Sequence, residues 1–252
     1  MSSSELSVAD VVVVDLALTA QDLARCAAIL DPGERARAAR FLRPEDRDRF
    51  VASHAALRLL LGQALGTDPA AVAFTAGPAG KPELAGAARG ALHFNLSHSG
   101  RFALVGLARA AIGVDVEAVR PLPDALRIAR GQFAPDEAAA LAALPRGQVE
   151  AVFFGLWTRK EAVVKALGAG LSLPLARFSV SLPPAEPRLL RMPGGAAAWS
   201  LAAVEVGPGA AATVAVAAPD AVIAVRTLPP GWTENLGRDA HHHACGPPRA
   251  QL

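Results

Sequence analysis

The sequence predicts an α+β fold of two similar lobes in a pseudo-twofold arrangement, each a small, mainly antiparallel sheet packed on one long helix. Three observations predict it. Each half of the chain holds one long helical stretch closed by a glycine, residues 44–66 and 148–168. Short runs rich in β-branched residues surround each stretch. The same mixture of a long helix and several strands recurs in both halves, although no sequence repeat is visible. The expected divisions are an N-terminal lobe over 1–111, a C-terminal lobe over 112–227 and a loosely ordered tail over 228–252.

The elements follow in chain order. "VADVVVVDL" (8–16) is a continuous β-branched run and reads as a buried strand. "LTAQDLARCAAIL" reads as a helix with Thr19 as its N-cap. Pro44 suits the first turn of the next helix, in which Phe50, His54, Leu57, Leu61 and Leu65 recur at helical spacing before Gly66. A Gly/Pro-rich loop, "TAGPAGKPEL", leads into three strands, "ALHFNLS", "FALVGLA" and "AIGVDVE". Short helices near 124–130 and 135–143 precede the long helix 148–168. Strands at "RFSVSL", "WSLAAVEV", "ATVAVAA" and "AVIAVR" complete the second half. The tail is rich in Pro, Gly and polar residues, and its His241–His243 run reads as low complexity rather than a metal site.

Composition narrows the class. The 252 residues are 52% hydrophobic and 19% charged, which suits a soluble protein with a sizeable core. No apolar run reaches the length of a membrane helix, and no export signal is visible at the start. Two distant cysteines, Cys26 and Cys245, suggest a reducing cytoplasm and no disulfide framework. A net charge of +2 argues against a nucleic-acid surface. Residues 34–50 nevertheless gather Arg35, Arg37, Arg40, Arg43, Arg47 and Arg49. Either they form a solvated helix face or they make a local phosphate site.

"IGVDVE" (112–117) raises a sharper question. Alternation along a strand sends Asp115 and Glu117 to one face and Val114 and Val116 to the other. Two neighbouring carboxylates repel unless a cation lies between them, so they mark either an exposed strand end or a cation site. In "LWTRKEAVVKALGAGL" (156–171), Trp157, Glu161 and Lys165 share one helix face. A surface ion pair would explain Glu161 and Lys165, but the surrounding segment is too apolar for a fully exposed helix. Three carboxylates from a strand and a helix suit magnesium, and a lysine beside them suits an anionic substrate. In "HFNLSHSG", Asn95, Ser97 and Ser99 either bond local backbone or, with Ser97 and His98 as donors, meet a phosphate. Lys81 in "GKPEL" could join them, although no P-loop or dinucleotide-binding motif is present.

Taken in order, "GKPEL", "FNLSHSG", "IGVDVE" and "LWTRKEAVVKALGAGLSLPL" resemble the 4′-phosphopantetheinyl transferase superfamily, in its monomeric, two-lobed Sfp type. The resemblance implies an enzyme that moves the phosphopantetheine arm of coenzyme A onto a serine of an apo acyl or peptidyl carrier protein. Adenosine 3′,5′-bisphosphate would be released. It implies that Asp115, Glu117 and Glu161 hold magnesium, with manganese an acceptable substitute, and that Glu161 is the general base. Lys165 would meet the pyrophosphate; Ser97, His98 and Lys81 would grip the phosphates of coenzyme A, and Arg37 its nucleotide end. Partners would be coenzyme A and apo carrier domains, with no nucleic acid and no membrane. A non-catalytic coenzyme A or carrier-binding module, or another magnesium-dependent phosphoryl enzyme, are the competing expectations.

Overall fold

A computed structural model describes residues 8–77, 80–168, 170 and 173–236. The α+β class holds: six α-helices occur among the described residues, with small sheets that are antiparallel apart from one strand pair. Contacts group the described residues into two units, 8–17 with 73–228, and 18–72 with 229–236.

The smaller unit is helical: α1 (Ala20–Ile29), α2 (Pro32–Ala38) and α3 (Pro44–Leu65). Thr19 caps α1 as expected, accepting from Asp22 N, and Gly66 ends α3 in the left-handed conformation. Helix α2 was not anticipated. Its signal is "DPGE": Asp31 and Glu34 form a capping box around Pro32. The organising charge is Arg58, wholly buried on α3. It donates to Glu34 Oε2 at 2.6 Å, to Asp31 Oδ2 at 2.6 Å and to the Val72 carbonyl at 2.8 Å. The first residues of the expected loose tail are packed: Trp232 is buried and Thr233 donates to Asp22. Residues 237–252, with the His241–His243 run, lie outside the described residues.

The larger unit holds the sheets. Strands β1 (Val8–Asp15), β4 (His93–Ser99), β5 (Phe102–Ala108) and β11 (Val222–Thr227) form a sheet in the order β11-β1-β5-β4. Strands β6 (Ile112–Ala118), β9 (Ser200–Ala203) and β10 (Ala210–Val216) form a second, in the order β6-β10-β9. Ala9, Val11 and Val13 pack with Ile112, Val114, Val116 and Val214 in one core. The expected alternation of "IGVDVE" is therefore met: Val114 and Val116 enter that core. The "GKPEL" loop contains a small hairpin, β2 (Phe74–Ala76) with β3 (Pro82–Leu84).

Helices α4 (Ala125–Gln132), α5 (Pro135–Ala142) and α6 (Arg146–Leu167) lie in the same unit, with a short hairpin of β7 (Ser179–Val180) and β8 (Leu189–Arg191). Gly168 stops α6 in the left-handed conformation, as its sequence predicts. Helix α6 lies directly on β6. A Cβ at Gly113 would stand 2.0 Å from the Ala162 carbonyl oxygen and 2.4 Å from Ala166 N, so only glycine permits this approach. The contact grouping cuts the chain elsewhere than between 111 and 112, because β4 and β6 are bonded to each other across that point.

Candidate active site

The site grows from the meeting of β4, β6 and α6. Asp115 is central on β6, its carboxylate nearly buried. Its Oδ1 accepts from Lys165 Nζ on α6 at 2.5 Å and from Ser97 Oγ on β4 at 3.0 Å. Its Oδ2 is buried and has no hydrogen-bond partner. Burial drives the Asp115 pKa up to about 6, against the pull of the Lys165 ammonium and the Ser97 hydroxyl, and Glu117 pushes it further upward.

Glu117 stands one alternation further along β6. Its Oε2 accepts from Ser99 Oγ at 3.0 Å and from Arg120 Nη1 at 3.3 Å. Glu161 on α6 is half-buried, and its pKa is raised, first by burial and then by Glu117, with Lys165 opposing. Glu161 and Lys165 share a face one turn apart, so each feels the other's charge.

Ser97 is fully used. Its hydroxyl donates to Asp115 and accepts from Lys165 Nζ at 3.0 Å and Val116 N at 3.3 Å. His98 is exposed and, by strand alternation, projects from the other face of β4. Lys81 is bound elsewhere. Its ammonium donates to the carbonyls of Lys165 at 2.7 Å and Ile112 at 3.0 Å, which caps the C-terminal end of α6. Burial lowers the Lys81 pKa to about 8. Arg37 belongs to the helical unit, where its guanidinium lies 5.1 Å from the Phe50 ring centroid.

The structure thus brings Ser97, Asp115 and Lys165 into direct contact and sets Glu117 and Glu161 within electrostatic reach. Among the described residues, no three His, Cys, Asp or Glu side chains stand clustered as a finished metal site. The donor set nevertheless fits a hard divalent cation in kind. It is all carboxylate oxygen, and it includes a buried carboxylate oxygen that no protein group satisfies. Sequence reasoning missed Ser99 and Arg120 as partners of Glu117, and the capping role of Lys81. The polar alternation Asn95, Ser97, Ser99 was the available signal for Ser99; nothing in the sequence pointed to the other two.

Comparison with known proteins decides the family. Residues 111–218 match the model of the 4′-phosphopantetheinyl transferase superfamily, and residues 17–109 match that of a 4′-phosphopantetheinyl transferase N-terminal region. The 4′-phosphopantetheinyl transferase HetI of Nostoc sp. is 42% identical over 200 residues, 78% of this chain and 81% of that one. The chain belongs to the 4′-phosphopantetheinyl transferase superfamily. The transferase is also 30% identical to Sfp of Bacillus subtilis over 210 residues, 82% of this chain and 91% of that one. A Synechocystis sp. relative of the same family name is 42% identical over 146 residues, and the match spans 59% of its length. The activity of the transferase is that of its family, transfer of phosphopantetheine to carrier proteins. No helix among the described residues is long and apolar enough to cross a membrane.

Proposed function

We propose that the transferase takes phosphopantetheine from coenzyme A, in the presence of magnesium, and passes it to a serine of an apo acyl or peptidyl carrier protein. The observation that carries this reading is the buried, unpartnered Oδ2 of Asp115, in a carboxylate set that Lys165 adjoins. Asp115, Glu117 and Glu161 would hold the ion, which when bound supplies positive charge to the pyrophosphate.

The chain's own residues do the rest. The carrier serine hydroxyl attacks the β-phosphorus and needs a proton acceptor; Glu161, whose proton affinity burial raises, takes that proton. The bond from the β-phosphorus to the bridging oxygen breaks, and adenosine 3′,5′-bisphosphate leaves with the electron pair. Lys165 Nζ, beside Asp115, places a cation where that charge develops. Ser97, His98, Lys81 and Arg37 are assigned to the phosphates and nucleotide of coenzyme A. For Ser97 and Lys81 this means exchanging protein partners for phosphate oxygens. Residues 1–111 are read as the phosphate-binding lobe and 112–227 as the catalytic lobe.

The two family matches lie side by side on this chain, as the two-lobed type requires, and action as a monomer is part of the proposal. The reading includes a reducing cytoplasm, with Cys26 free and buried. The test mixes the protein with coenzyme A, magnesium and several apo carrier domains and weighs each carrier by mass spectrometry. A phosphopantetheine adduct that disappears with chelator is expected. No adduct on any carrier, or an adduct unaffected by chelator, overturns the reading or its metal.

A further inference from the structure

Strands β4 and β6 belong to different sheets and share no main-chain ladder. Three side chains of β4 take its place. Asn95 Oδ1 accepts from Val114 N at 2.8 Å, Ser97 Oγ from Val116 N at 3.3 Å and Ser99 Oγ from Ala118 N at 3.1 Å. The other edge of β6 pairs with β10, so this seam supplies acceptors for the three β6 amides that face β4. Each serine also does a second task. Ser97 donates to Asp115, and Ser99 donates to Glu117 at 3.0 Å. Each hydroxyl therefore fixes an amide and the carboxylate of the residue before it. At the Asn95 rung that preceding residue is Gly113, where α6 passes closest.

Building on the proposed function, we propose that Ser99 is a positioning residue for Glu117, its one hydroxyl holding both that carboxylate and the β6 amide beside it, whereas Asn95 holds only β6 backbone. The seam and the carboxylates share a two-residue period, so a slip of one residue breaks all three rungs and turns the acids to the other face. The Ser99 rung holds backbone and carboxylate; the Asn95 rung holds backbone alone. That difference separates a functional seam from a merely structural one.

The experiment uses the full chain with coenzyme A present. Manganese affinity is read by electron paramagnetic resonance, melting by calorimetry, and kcat and KM from transfer to a carrier. Removing a hydrogen-bond partner of a metal-binding carboxylate weakens metal binding about ten- to a hundredfold, and Ser99→Ala is expected to do so. Its kcat falls while its coenzyme A KM stays within roughly twofold, and Ser99→Thr, which keeps the hydroxyl, restores both. Asn95→Ala lowers the melting temperature and leaves manganese affinity unchanged. Ser99→Cys, with similar volume and a weaker bond, gives an intermediate loss and serves if Ser99→Ala does not fold. Unchanged manganese affinity in Ser99→Ala or Ser99→Cys overturns the inference, as does an equal loss in Asn95→Ala. Wild-type protein that binds no manganese overturns the metal reading itself, and the inference falls with it.

Discussion

Helix α6 carries two lysine–carboxylate pairs, and they are finished to different degrees. Lys160 donates to Glu137 Oε2 at 2.6 Å and to the Phe178 carbonyl at 2.7 Å, while Ala134 N donates to Oε2 and Val180 N to Oε1, so both oxygens of Glu137 are bonded. The side chains of that pair are 0% and 4% exposed. Lys165 and Asp115 are as close, but Lys165 is 29% exposed and one oxygen of Asp115 has no partner. A buried ion pair with both carboxylate oxygens and the ammonium hydrogen-bonded is a staple, here joining α5, α6 and β7. A buried acid left incomplete beside an accessible lysine stores electrostatic free energy that a substrate or cation can draw on.

The largest effect that tests this contrast is on the finished pair. Glu137→Ala leaves a wholly buried ammonium unpaired, and a loss of about 3–5 kcal/mol in urea unfolding is expected. A loss below about 1 kcal/mol would erase the distinction. The unfinished pair should respond in rate instead. Asp115→Asn keeps shape and fold, yet transfer should fall about 10²–10³-fold, about 3–4 kcal/mol of barrier; near-normal turnover removes Asp115 from the mechanism. Gly113→Ala sharpens the same point. Its methyl meets the α6 backbone, costing about 1–3 kcal/mol or more in unfolding and displacing Glu161 and Lys165 from β6.

The pH dependence of stability follows in size. The folded pKa of Asp115, about 6, lies above its ordinary value of 3.8. The folded state therefore holds this proton more tightly, and the stabilisation is complete below pH 3.8 and lost as pH rises through about 6. In metal-free buffer, the melting advantage of Asp115→Asn over the wild type should shrink as pH falls from 7 to 4. A gap that widens contradicts the burial argument. The smallest effect is at Lys81. Lys81→Met removes the cation from the end of α6, and a loss of about 1 kcal/mol is expected by thermal melting. A coenzyme A KM raised more than about tenfold adds the phosphate contact to the cap.

Much of this was legible in the sequence because the signals were local. Glycines 66 and 168 end the two long helices where helical spacing stops, and period-two alternation separates Asp115 and Glu117 from Val114 and Val116. The partners of Asp115 needed more than periodicity, because Ser97 and Lys165 come from elements distant in the chain. What escaped was non-local or concealed in common residue types. A lysine in a glycine-rich loop gives no hint that it will cap a helix 84 residues later. Arg58 reads as one arginine among many until Glu34, Asp31 and the Val72 carbonyl close around it.

The outer pairing of β1 has a consequence for how the chain is made. Its residues 8–13 run parallel to 222–227 of β11, and Asp10 meets Arg226, 216 positions further along the sequence. Strand β1 leaves the ribosome well before β11, so one of its edges stays open while the roughly two hundred residues between them follow. During synthesis at about 5–20 residues per second, that hydrophobic strand spends some 10–40 seconds half-paired. Local helices can form long before then, whereas the sheet that carries β4 closes only when β11 arrives. Until β11 arrives, the outer edge of β1 is an open template for misassociation.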